Sequence, residues 1–395
     1  MVGLLSSSHH IFIMAGKKKI IRKLHLWMGL ISGPIIFILG VTGCILAFEK
    51  EIQHLLNREN RIETNTQRFP LSQIAGNVQR YLGKKKQISS LEISADPQQA
   101  WRFRTFQEDE NDGIWYWNEK SYYESVFVNP YSNKILGLEN SEFSFFRVIL
   151  YLHWSLLLKT SIGQPIVGIA TLLYFLSLVS GLFLWWPKNK TTAKKRFAFK
   201  WKSTTGIRRK IYDLHSILGF YLVSIGVTLA FTGMVWAFPW LNKAIQSVLS
   251  EQGAKELSLP QNVAAKNPET ADPLEELYCQ VTRETSLAKG YAFYFPKSAD
   301  NPHITTVAIF DKSHQSIVFT ANKYTGKIVG RVSFSDKDSA QKFEDLNYDI
   351  HLGLILGIPG KIIVFIASLL SASLPVTGFL IWYKRKKKSK SNTKL

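Results

Sequence analysis

Four histidines stand at or near the heads of apolar runs: His25 in "KLHLWMGLISG", His153 in "YLHWSLLLKT", His215 in "DLHSILGFY" and His351 in "DIHLGLILGIPGK". Their spacings recur. Eighteen residues separate His25 from Gly43 and His215 from Gly233, while 28 separate His153 from Gly181 and 27 separate His351 from Gly378. Imidazole is a common metal ligand. Two imidazoles meeting from facing helices of a bundle suit the two axial positions of haem iron, and filling both favours electron transfer over oxygen binding. A lone interfacial histidine beside Trp27 or Trp154 is explained as an amphipathic anchor. Four at repeat-equivalent positions, with no histidine of the apolar segments left over, ask for a joint explanation. Of the nine histidines, His9 and His10 belong to the N-terminus, and His54, His303 and His314 fall in polar stretches.

A zinc or copper site competes with that reading, but such ions want three or four ligands close together, often with Cys or carboxylate. Here the ligands come in twos. Asp213 and Asp349 precede His215 and His351 by two residues, an offset that turns them off the histidine face and suits helix N-capping. Neither CxxC nor CxxCH occurs, so the haem implied is haem b, two of them on a count of four ligands. Arg22, Lys23, Arg208 and Arg209 flank the pair expected at 25 and 215 and could meet haem propionates, although as positive-inside anchors they are already explained. Lys361, ten residues into an apolar stretch, is an unusual membrane charge that could line a polar pocket. Trp185, Trp186, Trp236, Trp240 and Trp382 read as interfacial belts rather than electron relays.

The elements that must carry these histidines are four apolar runs, roughly 24–48, 165–186, 214–238 and 354–383, each near or above the ~20 residues needed to cross a ~30 Å hydrocarbon core. The net charge of +20 is concentrated: residues 1–23, 188–210 and 384–395 hold five, ten and seven Lys/Arg and no Asp or Glu. Cations in every second non-membrane segment follow the positive-inside pattern rather than a nucleic-acid surface. The order expected is a cytoplasmic N-terminus 1–20, span 21–48, outside region 49–142, interfacial helix plus span 143–187, basic cytoplasmic loop 188–210, span 211–239, outside region 240–346, span 347–383 and a basic tail 384–395. "MAGKKKIIRK" from Met14 flanks the first span as an uncleaved anchor. Cys44 and Cys279 offer no disulfide framework. "VTGC" (41–44) has counterparts in "VSGL", "FTGM" and "VTGF", which read as small-residue helix-packing sites.

The chain repeats itself. "KLHLWMGLISGPIIFILGVTGCILAFE" overlays "DLHSILGFYLVSIGVTLAFTGMVWAFP" without a gap, and the second and fourth spans form a looser pair. Outside the spans, "NPYSNKILG" (129–137) aligns with "NKYTGKIVG" (322–330), each closing a strand–turn–strand pattern after an amphipathic helix at 71–83 or 273–286. Duplication in parallel orientation implies a two-fold axis along the membrane normal. It pairs His25 with His215 near the cytoplasmic face and His153 with His351 near the outer face. The aromatic run "GIWYWNEKSYY" (113–123) reads either as a docking surface or as strands packing a core.

With "LHLWMGLISG", "LHWSLLL", "SGLFLWWPK", "DLHSILGFY" and "DIHLGLILGIPGK" in place, the chain from about Lys17 to Lys388 resembles the PepSY-associated transmembrane family, also described as iron-regulated membrane proteins. The fold expected is a four-helix transmembrane bundle with two periplasmic α+β, PepSY-like domains and an internal duplication. The resemblance implies a haem b reductase of the bacterial inner membrane that acts on ferric siderophores in the periplasm, with His25, His153, His215 and His351 as haem ligands. No GxGxxG or Walker A motif occurs, so a membrane quinol or a flavoprotein is the expected donor. The lipid bilayer and siderophore-uptake machinery are further expected partners, and nucleic acid is not. The contrasting reading is a haem-free binding or regulatory protein whose outside domains restrain a peptidase or sense a ligand. Transport by proton coupling is disfavoured, since no acidic residue lies in the middle of any span.

Overall fold

The computed structural model describes residues 3–56, 61–109, 111–187, 196–250, 272–298 and 300–392. Residues 188–195 of the basic loop and 393–395 of the tail lie outside the described residues, as do the side chains of His9, His10 and His54. The helices are α1 (Gly3–Ala47), α2 (Glu49–Leu56), α3 (Leu71–Leu82), α4 (Phe145–Ser155), α5 (Thr160–Trp185), α6 (Ile207–Asp213), α7 (Gly219–Ala237), α8 (Pro239–Leu249), α9 (Pro273–Glu284), α10 (Ser339–His351) and α11 (Ile358–Asn392). A π-helical turn, Leu214–Leu218, joins α6 to α7 into one rod.

Four helical stretches have the length and apolar composition to cross a membrane: Lys18–Ala47, Thr160–Trp185, Ile207–Ala237 and Ile358–Lys386. The protein is therefore a membrane protein with four spanning helices. Span 1 packs against spans 2 and 4, and span 3 packs against the same two, so spans 1 and 3 face each other diagonally, as do 2 and 4. Ile31, Phe37, Ile169, Phe183, Ile366 and Leu369 point outward and are exposed, as lipid-facing side chains should be. Small residues set the close contacts. A Cβ on Gly40 would come within 2.7 Å of the backbone of Ala372 and Ser368 on the neighbouring span.

The two polar regions, each long enough to fold separately, instead build one sheet. Strands β1 (Ser90–Ser94), β2 (Trp101–Glu108), β3 (Lys120–Asn129), β4 (Lys134–Asn140), β5 (Gly290–Tyr294), β6 (His303–Ile309), β7 (Ile317–Asn322) and β8 (Ile328–Val332) lie in the order β4-β3-β2-β1-β5-β6-β7-β8, antiparallel throughout. The join is β1 against β5, with Ser90 opposite Tyr294 and Ser94 opposite Gly290. Alternation of apolar and polar residues puts Leu91, Phe103, Phe293 and Phe319 on one face, where they are fully buried against Leu71, Ile74 and Val78 of α3 and Leu277 and Val281 of α9. Burying such side chains contributes about 1.5–3 kcal/mol each, so this shared core is reason enough for the halves to fuse. The aligned hairpins match in detail. The side-chain oxygen of Asn129 accepts from Tyr131 N at 2.8 Å, and that of Asn322 accepts from Tyr324 N at 2.8 Å. Asn133 and Gly326 occupy the corresponding left-handed position.

Candidate metal centres

The expected partners meet. The ring centres of His25 and His215 lie 6.2 Å apart with planes at 76°, and those of His153 and His351 lie 6.4 Å apart with planes at 70°. His25 is inside α1, and His215 is inside the π-helical turn, a rare element that recurs at functional sites. This pair lies toward the end of the bundle that carries the basic segments, the basic end. His153 and His351 belong to α4 and α10, short helices that stop before spans 2 and 4 at the end nearer the sheet, the sheet end. On span 1, 17 residues separate His25 from Thr42, the neighbour of His153, so the two levels are about 25 Å apart along the helix axis.

Each ring is held by the neighbouring span through the same dipeptide. Nδ1 of His153 lies 2.8 Å from Thr42 Oγ1, that of His351 2.7 Å from Thr232 Oγ1, and that of His215 3.0 Å from Thr377 Oγ1. His25 Nδ1 lies 3.1 Å from both Ser180 Oγ and the Ser177 carbonyl. The next residue in every case is a glycine: Gly43, Gly233, Gly378 and Gly181. A Cβ there would meet the Cε1 of the same ring at 3.5, 3.5, 3.2 and 3.2 Å respectively. The hydroxyl holds the ring, and the glycine leaves room for it.

These contacts decide the tautomer. Each hydroxyl already donates its single proton to a carbonyl of its own helix, Thr42 to Ile38 at 2.7 Å, Thr232 to Thr228 at 2.9 Å, Thr377 to Ser373 at 3.0 Å and Ser180 to Ser177 at 3.1 Å. The oxygen can then only accept from Nδ1, so Nδ1 carries the proton and Nε2 keeps its lone pair. No hydrogen bond reaches any of the four Nε2 atoms among the described residues. An imidazole whose second nitrogen is tied to an acceptor, with Nε2 free, is the form that ligates a metal.

The gap has the right size. A metal–imidazole bond of about 2.0 Å plus roughly 1.1 Å from nitrogen to ring centre, taken twice, separates ring centres by about 6.2 Å. Among the described residues no group of three or more His, Cys, Asp or Glu comes together as a metal site. A metal between two imidazoles alone must bring its remaining ligands with it, as a porphyrin does. At the basic end a cavity of about 830 Å³ surrounds His25 and His215. Ser177 and Trp185 are among its lining residues, and Ser177 Oγ and Trp185 Nε1 are buried without a hydrogen-bond partner. Lys19, Arg22, Lys23 and Arg385 also line it, a cationic set suited to propionates.

The profile of the PepSY-associated TM region matches residues 22–385. The chain belongs to this family. Among curated proteins, none matches it.

Around the paired histidines of this PepSY-associated TM protein, several expectations need correcting. Arg208 and Arg209 do not line the cavity; Arg209 instead pairs with Asp213 at 2.9 Å. Asp213 is no N-cap, since it sits at the end of α6 and also accepts from Trp201 Nε1 at 3.2 Å. Asp349, fully buried, accepts from the backbone of Ser313 and His314 and from His314 Nδ1, so it pins α10 to the sheet rather than starting a helix. Lys361 lines neither the basic-end cavity nor a smaller one at the sheet end. Span 4 begins only at Ile358, which puts Lys361 in the first turn, where it pairs with Glu51 at 2.7 Å. Trp185 and Trp236 are not belt residues. Trp185 stacks on Phe220 beside the basic-end cavity, and Trp236 packs edge-on against His351 at 5.1 Å. Trp382 lines the same cavity, whereas Trp186 and Trp240 are exposed. In 113–123 Tyr116 is buried and stacks on Tyr151 of α4, while Trp115 stays partly exposed.

The Ser/Thr–Gly dipeptides, expected from the sequence as helix-packing sites, are the residues that hold the rings. The recurrence of their glycines 18 residues after His25 and His215, and 28 and 27 after His153 and His351, is the signal the sequence carries.

Proposed function

We propose that the chain is a two-haem b membrane oxidoreductase of the bacterial inner membrane that carries electrons from its basic, cytoplasmic end to its sheet, periplasmic end, where a ferric siderophore is reduced and releases its iron. The observation that carries this reading is the pair of imidazole couples, each spaced for one metal atom and each fixed in the Nε2-free tautomer. Bound haem b supplies a one-electron couple at each level. The protein's part is positioning. Ser180, Thr42, Thr377 and Thr232 hold the Nδ1 protons in place and keep the rings from rotating. Lys19, Arg22, Lys23 and Arg385 offset anionic charge at the basic end, and the apolar spans exclude water between the levels. Membership of the PepSY-associated TM family, the basic segments at one end and the sheet at the other support the orientation N-in and C-in. A quinol or a separate flavoprotein is the donor class that fits a chain with no nucleotide signature.

The test is haem stoichiometry by pyridine haemochrome on purified protein and on the four single His→Ala variants. Two haems in the wild type are expected. Loss of one should follow substitution of His25 or His215, and loss of the other should follow substitution of His153 or His351. A colourless protein from haem-sufficient cells overturns the reading and leaves a membrane-anchored binding protein.

A further inference from the structure

The sheet has a second face that the apolar core does not cover. Arg102, Arg104, Tyr294 and Val307 project from it, opposite to Phe103 and Phe293. Between part of this face and the sheet end of the bundle lies a cavity of about 320 Å³ lined by Lys50, Tyr294, Val307, Ser313, Tyr348 and Leu354, among others. Its size is at the small end of the ~300–1,000 Å³ usual for ligand pockets. Lys50 follows span 1 directly, and among the described residues no carboxylate lies within ion-pair distance of its ammonium. Nor do the hydroxyls of Tyr294 and Tyr348, two half-exposed residues, make hydrogen bonds among the described residues. Burial pushes both phenols above their ordinary value, so they remain donors. The cavity therefore offers one ammonium that is tied up in no ion pair among the described residues, with Glu49 the carboxylate that acts on it, and two spare O–H donors, groups that can meet an oxygen-rich anion.

Its second property is position. The Tyr348 ring is 6.2 Å from Trp236, and Trp236 is 5.1 Å from His351. A molecule resting on Tyr348 is separated from the sheet-end histidine pair by two aromatic rings in van der Waals range.

We infer that this cavity is where the electron acceptor docks, as an anionic metal chelate with oxygen donors, one arm of which enters against Lys50, Tyr294 and Tyr348. This rests on the function proposed above. A ferric chelate held there would gain one electron and become ferrous; a membrane quinol or a flavoprotein would supply that electron, and haem held by His153 and His351 would be the one-electron couple nearest the chelate. Hard oxygen donors hold ferrous iron less tightly than ferric, so the metal is released after the transfer.

Two readouts test this on the full chain in detergent. The first is binding of the redox-inert gallium tricatecholate complex, triply anionic, followed by quenching of intrinsic fluorescence, with the neutral gallium trihydroxamate for comparison. The tricatecholate should bind more tightly than the trihydroxamate, and Lys50→Glu should weaken it about tenfold or more. Val307→Phe, which fills the cavity, should weaken both complexes. The second is the rate at which the ferric tricatecholate reoxidises dithionite-reduced protein; it should fall by the same factor in Lys50→Glu with an unchanged haem spectrum. Equal gallium binding by wild type and both variants overturns the inference, as does a wild type that binds neither complex. A haem-free wild type that still binds gallium tricatecholate through Lys50 overturns only the redox function.

Discussion

The two histidine levels do the same job with different backbones. At the basic end both rings hang from continuous rods, one in α1 and one in the π-helical turn within span 3. At the sheet end both rings sit on separate short helices that must stop and fold back before the next span begins. After His153 the chain passes through Leu156 and Leu157, both at positive φ, and after His351 it passes through Gly353 and Gly357, also at positive φ. The folded-back turn then touches the first turn of the span. A Cβ on Gly163 would run into the Ser155 carbonyl, and one on Gly360 into that of Gly353. The basic-end level is thus set by helix geometry alone, whereas the sheet-end level depends on two backbone contacts that only glycine permits. The sheet adds a further tie there, through Asp349 and the backbone of Ser313 and His314.

The largest effect that follows is selective loss of the sheet-end level. On the two-haem proposal, Gly163→Val or Gly360→Val should remove the haem assigned to His153 and His351 while leaving that assigned to His25 and His215, so that pyridine haemochrome stoichiometry falls by half. Equal loss of both haems, or none, would mean that the folded-back turns do not set the sheet-end site.

The next contrast concerns room beside the rings. At Gly181 and Gly378 an added methyl comes to 3.2 Å from the Cε1 of His25 and His215, tight enough to push the ring, while at Gly233 it sits at an ordinary 3.5 Å from His351. Gly181→Ala and Gly378→Ala should therefore shift the midpoint potential or the low-spin spectrum of the basic-end haem. Gly233→Ala should leave the sheet-end spectrum as it was. A larger response at Gly233 than at Gly181 reverses the comparison.

How much of this was legible in the sequence depended on whether the determinant was local. The four spans, the histidine pairing and the aligned hairpins follow from runs, spacing and a repeat, all of which can be read along one chain. The "NPYSNKILG" and "NKYTGKIVG" hairpins carry their own turn chemistry in Asn129 and Asn322. The single eight-stranded sheet was not legible, because the β1–β5 join pairs residues about 200 positions apart and shows no local mark. The pinning role of Asp349 was hidden in the same way, since its partners lie 35 and 36 residues upstream. "VTGC", "VSGL", "FTGM" and "VTGF" were visible as a recurrent pattern, yet small residues within spans serve helix packing so often that the packing explanation came first. Only the placement of each dipeptide opposite a histidine of another helix separates the two roles.

A third contrast lies in how closely a hydroxyl holds each ring. The Thr232 hydroxyl lies 2.7 Å from His351 Nδ1 and the Ser180 hydroxyl 3.1 Å from His25 Nδ1, while a backbone carbonyl, that of Leu229 or Ser177, also reaches each ring. Thr232→Val keeps the shape and strips the 2.7 Å hydroxyl contact, leaving the Leu229 carbonyl. Haem retention at the sheet end should weaken by about 10–100-fold, as for loss of an outer partner to a metal-bound imidazole. Ser180→Ala should cost the basic end less, because its hydroxyl stands farther from the ring and the Ser177 carbonyl meets Nδ1 at 3.1 Å. Haem transfer to apomyoglobin, followed spectroscopically, reads both; comparable rates for the two variants would remove the distinction.

The smallest effect is one of pH, and it is confined to the sheet side. Glu142, in the turn between β4 and α4, is buried with neither carboxylate oxygen hydrogen-bonded, and Lys120 Nζ stands 4.0 Å away. Burial raises its pKa above the ordinary carboxylate value; Lys120 and Arg147 oppose the shift, and Glu119 adds to it. A carboxyl whose folded pKa is raised binds its proton more tightly in the folded state than in the unfolded one. Stability is then greatest below the ordinary carboxylate value and declines as pH rises through the interval up to the folded value, beyond which this group contributes no further slope. Glu142→Gln stays neutral at every pH and removes that decline. Thermal unfolding in detergent across pH 4–8 should thus show the variant gaining on the wild type as pH rises, with the basic-end haem spectrum indifferent throughout. Because α4 carries His153 eleven residues after Glu142, the sheet-end haem spectrum should follow the same titration. If both haems respond together, the turn at Glu142 is not coupled specifically to the sheet end, and the two levels are less independent than their backbones imply.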